Sequence, residues 1–352
     1  KENGIKPLLG YEGYHTWNVD EITSKIEERY QAAIEKAKLD GIEVSNEKKP
    51  TSKDKELLKK YMYDTHSYHI LFIAKDQEGW KNIIQMQSES AARGLFNGRY
   101  HCDTEMMRKY KNGILMTTAC IQNTVNHLFI NNRDNEAHCL LNEWKEIYQD
   151  DFYVEIQPLS IPEQWISNIK ILKWAKENNV KCVATNDVHY TLKEDNEDHD
   201  TLFAMSLGKM KDDENRLRYS HDFWIRSYDE MLEAFSNQIE DMVQEGYMNE
   251  REATQYMIDI IKALDETNRV ADKCGEIKIG SDVPIYPIFD TPKGISSETL
   301  LTHICYKRLY EYKKEKPHIH LPTYEKRLEE ELQIINSKGF APYMLIVSDY
   351  IQ

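Results

Sequence analysis

The 352-residue sequence predicts an α/β protein in which buried strands alternate with amphipathic helices. Three observations carry that prediction. Val180-Lys-Cys-Val-Ala184 is a short apolar run bounded by polar residues, the pattern of a strand buried on both faces. His69-Ile-Leu-Phe-Ile-Ala74 repeats it, as do Gly113 to Ala119 and Phe152 to Gln157. Helical stretches separate these runs, and the alternation over residues 113 to 207 implies parallel strands joined by right-handed crossovers. A barrel is the expected closure, although periodicity alone does not separate an eight-unit barrel from an open doubly wound sheet.

Composition sets outer bounds. Sixty acidic residues against 45 basic ones leave a formal charge of -15, and no long Lys/Arg run is present. A surface built mainly to hold a nucleic-acid backbone is therefore excluded, and any DNA contact is expected to be local or outside this chain. The six cysteines show no paired short spacing, so neither a zinc knuckle nor a secreted disulfide framework is indicated, and a reduced cytoplasm fits best. No apolar run approaches the ~18 residues of a membrane span, and Lys-Glu-Asn-Gly at the start holds no apolar signal core. The expectation is a soluble cytoplasmic protein with no membrane partner.

In chain order, Ile5 to Leu9 reads as a short strand, with Glu12 just past it. Val19 to Lys60 reads as two helices joined at a polar break, Ser45 to Ser52, with Ile22, Ile26, Tyr30 and Ala33 or Ile34 at helical spacing. The pair is taken as a solvated helical hairpin without chemistry. After His66 comes the second strand. His69 opens it, and by sequence alone a histidine there is a satisfied core residue more often than a ligand. A helix follows from Trp80. His101, Cys102 and Asp103 form a tempting cluster that is read as structural.

Cys120 follows the strand candidate at 113–119, where burial is the default for so small a side chain. A strand-end cysteine near histidine and carboxylates also suits zinc as its thiolate. After a helical stretch to about Gln149 and the strand at 152–157, Pro162 opens a helix at its favoured early position. Trp165, Ile166, Ile169, Leu172 and Trp174 supply its buried face. Asp187 and His189, two residues apart, point to one side if the backbone stays extended, which is a metal-ligand geometry. An isolated Asp-x-His is more often a turn beside a surface histidine, but ligands in α/β folds gather at strand carboxyl ends.

Beyond Lys209 a charged loop leads to Asp222-Phe-Trp-Ile-Arg226 and a long helical region from about Asn249 to Cys274. Pro284, Pro287, Pro292 and Gly294 mark a linker, placed at 286–296, and a new unit starts near Ser297. Tyr324 to Lys338 is amphipathic through Leu328, Leu332 and Ile335, with Gly339 as its terminal cap and the apolar Tyr343 to Ile351 beyond. No Ser-His-Asp order, phosphate-cradling Gly-x-x-x-x-Gly-Lys or Rossmann fingerprint competes.

Val183 to Tyr190, followed by Leu192-Lys-Glu-Asp195, His199-Asp200 and Leu207-Gly-Lys209, resembles the last metal motif of a PHP (polymerase and histidinol phosphatase) domain. That domain is the one found in bacterial-type C-family replicative DNA polymerases, the family of the polymerase III alpha subunit. Gly4 to Glu12, His69 to Gly79, Gly113 to Cys120, Asp151 to Gln157, Phe223 to Met231 and Leu328 to Asp349 occur in that family's order.

The resemblance implies a distorted seven-unit TIM-like barrel over 1–285, with a helical insertion over about 16–65, and incomplete at its N-terminus because two further ligand motifs, a His-x-His and an Asp-His, would precede it. It implies a mostly helical beginning of the polymerase palm over 297–352. It also implies a partial metal site made of Glu12, His69, Cys120, Asp187 and His189, taking zinc, manganese or magnesium, with weak and substoichiometric occupancy. The function so implied is that of a segment of a replicative polymerase alpha subunit. Its parent would copy primer-template DNA with magnesium, through catalytic carboxylates outside this segment, and would partner replisome subunits and the remainder of its own chain. Two other readings stand beside it, a metal-dependent phosphoesterase of exonuclease or pyrophosphatase type and a catalytically silent replisome module.

Overall fold

The computed structural model describes residues 4–44, 51, 54, 58, 61, 67–96, 98–219, 222–280 and 287–351, without the side chains of 23–27 and 29. The Ile26 side chain, most of the polar break at 45–52, most of the predicted second helix, His66 and Pro284 lie outside what is described. The chain divides into two compact units, Lys1–Lys278 and Ile279–Gln352.

Seven strands of the first unit form one mixed sheet: β1 (Gly10–His15), β2 (Tyr68–Ala74), β3 (Leu95–Phe96), β4 (Arg99–Cys102), β5 (Ile114–Thr117), β6 (Phe152–Ile156) and β7 (Lys181–Ala184). Their order is β3-β4-β1-β2-β5-β6-β7. The β5, β6 and β7 strands are parallel, as the strand-helix alternation requires, whereas β2 runs antiparallel to both β1 and β5. Among the described residues β3 and β7 stand at opposite ends of the sheet and do not pair with each other, so these strands make an open mixed sheet and not the closed barrel expected.

The first strand is displaced from the apolar run that signalled it. Ile5 is 70% exposed, and pairing with β2 begins at Gly10, opposite Ile73. The Leu9 carbonyl accepts from the Ala74 amide at 2.8 Å, where β2 ends, so no partner backbone remains for residues 5–8. Glu12 consequently lies inside β1 and not past a strand end.

Helices α1 (Val19–Leu39), α2 (Gln77–Arg93), α3 (Thr104–Tyr110), α4 (Thr124–Ile130), α5 (Asp134–Tyr148), α6 (Pro162–Glu177), α7 (Asn196–Ser206), α8 (Tyr228–Gln244) and α9 (Glu250–Lys273) complete this unit. Their starts follow local chemistry. Asn18, Asp76, Asp103 and Ser227 each accept a backbone N–H of the first turn through the side chain, and Pro162 occupies the first turn of α6. Of the predicted α6 face, Trp165, Leu172 and Trp174 are buried, while Ile166 and Ile169 are half-buried. One core joins sheet and helices through Phe72, Phe129, Trp144, Phe152, Trp174 and Phe235. The β3–β4 hairpin and α8 went unmarked in the sequence, although Asn97-Gly98 is a two-residue hairpin signal and Ser227 with Glu230 is a capping box. His101 and Cys102 fall on β4, and Asp103 is the cap of α3.

Helix α2 and the turn before β5 meet at two glycines. A Cβ on Gly79 would stand 1.8 Å from the Gly113 carbonyl oxygen, and Gly113 itself adopts φ +70. That close approach lets the Gly113 carbonyl accept from Lys75 N–H at 2.8 Å.

The second unit packs α10 (Ser297–Glu315), α11 (Leu321–Ser337) and α12 (Ala341–Ile351) around Leu301, Leu332, Ala341 and Leu345. Leu328 and Ile335 lie against that core, and Gly339 at φ +71 follows the end of α11. Among the described residues no helix is long and apolar enough to cross a membrane.

Candidate metal centre

Glu12 and His69 come together through strand register. Glu12 pairs with Leu71 and Tyr14 pairs with His69 across the antiparallel β1–β2 ladder, so Glu12 and His69 share a face as diagonal neighbours. Glu12 Oε1 lies 2.8 Å from His69 Nδ1. Tyr14, on the same face, sets its ring edge-on to the imidazole at 5.3 Å.

Cys120 reaches the pair from the end of β5. Ala119, at φ 60, turns the chain, and Cys120 Sγ lies 3.4 Å from His69 Nδ1. Asn123 and Asn126 fix this turn by donating to the Cys120 carbonyl at 2.7 and 3.3 Å. One donor atom from each of Glu12, His69 and Cys120 lies within 4.8 Å of the others.

Asp187 and His189 leave β7 toward the same cluster. Asp187 takes φ 49, and its carboxyl feels the charges of His189, Glu12 and His69. Its segment is strapped to residues 222–226: Asn186 donates to the carbonyls of Asp222 and Trp224 at 3.0 and 2.7 Å and accepts from Arg226 at 2.9 Å. The His189 amide donates to the Phe223 carbonyl at 2.8 Å. The His189 ring is walled by Phe223, Tyr219 and His199, at 4.9, 5.5 and 5.6 Å between ring centres.

The electrostatics are those of a crowded polar site sunk in a sheet. The hydrogen bond from His69 holds the Glu12 carboxyl below its usual range against the opposing effect of burial. Burial pushes the Asp187 carboxyl up, and the Glu12 charge adds to this while His189 and His69 work against it. Burial also pushes the Cys120 thiol up, with the Asp187 charge adding to it. Burial raises the Tyr219 phenol, and the nearby Asp187 and Cys120 charges reinforce this. The five residues singled out in the sequence are therefore linked by charge. Among the described residues only Glu12, His69 and Cys120 bring their donor atoms within 4.8 Å of one another; Asp187 and His189 stand outside that tight group and are linked to it by charge.

A divalent cation fits this donor set. Imidazole nitrogen, thiolate sulfur and carboxylate oxygen together suit zinc, whereas magnesium prefers all-oxygen shells. A cation would also offset the like charges of Glu12 and Asp187 and favour the thiolate that burial opposes. The cluster at His101 has no such character. Its ring nitrogens meet Ser67 Oγ at 2.8 Å and the carbonyls of Arg99 and Gly94 at 3.1 and 3.2 Å, and its ring stacks on Phe96.

Two groups beside the site went unmarked in the sequence reading. Tyr219 is one, and nothing local distinguishes it. Glu155 is the other, and its signal was available: a single charge inside the buried strand Phe-Tyr-Val-Glu-Ile.

The open mixed sheet and the Glu12, His69 and Cys120 cluster are consistent with a PHP domain, and comparison with known proteins supplies that family. The PHP domain family matches residues 1–158, a span that includes Glu12, His69 and Cys120, while the family described as bacterial DNA polymerase III alpha NTPase domain matches residues 299–352. The chain belongs to the family of the DNA polymerase III alpha subunit. The DNA polymerase III subunit alpha of Borreliella burgdorferi is 32% identical over 81% of this chain and 23% of its own length. That of Helicobacter pylori strain 26695 is 29% identical over 100% of this chain and 26% of its own, and that of Aquifex aeolicus is 26% identical over the same shares. The chain thus spans about a quarter of the length of these curated relatives.

Proposed function

We propose that this chain serves in a replicative DNA polymerase of the polymerase III alpha type, with its first unit acting as a metal-binding PHP domain. The observation that carries the reading is the order of the two family matches, with relatives aligned through both. On this reading residues 1–285 belong to the PHP domain, built toward a distorted TIM-like barrel, 286–296 form a linker, and 297–352 begin the polymerase palm. The parent activity is template-directed DNA synthesis with magnesium in the cytoplasm, and its partners are primer-template DNA, replisome subunits and the remainder of the polymerase chain. Template-dependent primer extension by the full-length gene product tests it, and a product unable to extend any primed template would contradict it.

The Glu12, His69 and Cys120 cluster supports a second activity, phosphoester hydrolysis at the PHP site. Glu12, His69, Cys120, Asp187 and His189 would hold the divalent cation, zinc or manganese by donor chemistry. When bound, it supplies Lewis-acid activation of a phosphate and its attacking water. The residues themselves orient: the β1–β2 register fixes Glu12 against His69, and the aromatic wall of Phe223, Tyr219 and His199 limits water on one side of His189. Release of phosphate or mononucleotide by the zinc- or manganese-loaded chain, lost in Asp187→Asn, is the expected result. A loaded chain without turnover would leave the domain a structural metal-binding module of the replisome.

A further inference from the structure

A second polar arrangement lies next to the cluster, and it is built on Glu155. This residue sits in β6, the middle of three parallel strands, and is 5% exposed. A carboxyl so placed costs free energy unless its oxygens are bonded. Here Oε2 accepts from the Thr117 hydroxyl at 2.5 Å, while Oε1 accepts from the Thr185 hydroxyl and from the Gln157 amide at 3.3 Å. Thr117 is the last residue of β5 and Thr185 directly follows β7. One carboxyl therefore ties together the carboxyl ends of three neighbouring strands.

Both threonines stand just ahead of candidate ligands. Thr117 Oγ1 also accepts from the Ala119 amide at 3.3 Å, and Ala119, at φ 60, immediately precedes Cys120. Thr185 lies two residues before Asp187, itself at φ 49. The left-handed region is costly for residues other than glycine and persists only where the surroundings fix it. These two turns swing Cys120 and Asp187 toward His69 and Glu12. Free to relax, each would let its side chain drift from the site.

We infer that Glu155 is a positioning residue for the metal centre, holding Thr117 and Thr185 so that the turns at Ala119 and Asp187 present Cys120 and Asp187 to the ion. The inference rests on the metal-centre reading above and adds the device that makes its geometry. Groups that orient ligands in this way are typically worth 10–100-fold in metal affinity.

The test uses the whole chain and follows zinc affinity by competition and cobalt(II) binding by its near-ultraviolet thiolate absorption, with circular dichroism and melting as checks on folding. Glu155→Leu removes both acceptors and should weaken zinc binding by roughly 10–100-fold in a folded protein. Glu155→Gln keeps one acceptor and should fall between it and the parent. Thr117→Val should diminish the cobalt-thiolate absorption per bound ion, whereas Thr185→Val should weaken affinity and leave that absorption intact. If Glu155→Leu does not fold, the two threonine variants decide. Folded variants that bind zinc and cobalt as the parent does would overturn the inference. A parent that binds neither ion would overturn the metal-centre reading itself, and the inference with it, before any substitution is compared.

Discussion

Glu12 Oε1 and His69 Nδ1 lie 2.8 Å apart across an antiparallel strand pair, although the two residues are not directly opposed in register. The pair works by diagonal reach on one face of the sheet. Two opposed influences act on the Glu12 carboxyl, and the histidine hydrogen bond outweighs burial. A carboxyl depressed in the folded state adds stability above the unfolded glutamate pKa of about 4.3, lost as pH falls through the lower folded value. Because the Glu12 side chain is half exposed, that contribution is at most about 1 kcal/mol. Carbon-13 NMR titration should place Glu12 below an ordinary glutamate in the metal-free chain. In His69→Ala it should move up, since burial then meets only the weaker opposing effect of His189; an unchanged midpoint would contradict this account of the pair.

The glycine contact under the sheet gives a sharper stability effect. Gly79→Ala drives a methyl into the Gly113 carbonyl, 1.8 Å from the new Cβ, where both sides are backbone and cannot swing away. The expected cost is about 3 kcal/mol or more, read from urea denaturation. Gly246→Ala makes a control, since φ +79 strains it but no atom lies within 4 Å, and its cost should be about 1–2 kcal/mol. Equal losses in the two variants would remove close approach as the cause.

Acid should destabilise the first unit through two buried histidines. Burial pushes His15 down to about 3 and His101 down to about 4. An unfolded histidine protonates near 6.5, so between these values the unfolded state binds protons that the folded state refuses. Stability is then unaffected above about pH 6.5 and falls as pH drops below it, by about 1.4 kcal/mol per pH unit for each histidine. His15→Asn, which keeps a hydrogen-bonding group for Thr124 Oγ1, should remove about one histidine's share of the slope between pH 6 and 4. Denaturation midpoints at several pH values measure it, and a slope unchanged by the substitution would show that His15 takes up its proton without unfolding.

These effects mark what could be read from the sequence and what could not. Pro162 opening α6, the Leu332 face of α11 and the strand ending at Ala184 all followed from local chemistry, because capping, helical spacing and burial act over a few residues. The run Ile5 to Leu9 misled for a reason outside itself: β2 stops at Ala74, leaving those residues no ladder partner. The meeting of Glu12 with His69 depends on an antiparallel register that periodicity does not reveal, so the resemblance to a family, not the spacing, brought them into one set. Glu155 was overlooked although a lone charge in a buried strand is a local signal, and its partners Thr117 and Thr185 come from strands on either side.

The central claim is that Glu12, His69, Cys120, Asp187 and His189 hold a divalent metal. Its most direct test is metal bound by the purified chain after equilibrium dialysis against zinc, manganese and magnesium in turn, quantified by plasma mass spectrometry. A double variant, His69→Ala with Cys120→Ser, is dialysed in parallel. The account predicts measurable zinc binding by the parent, preferred over magnesium because nitrogen and sulfur donors are present, and at least a roughly 100-fold loss of affinity in the variant. Parent metal no higher than the dialysis buffer, or a folded variant that binds zinc as the parent does, would contradict it.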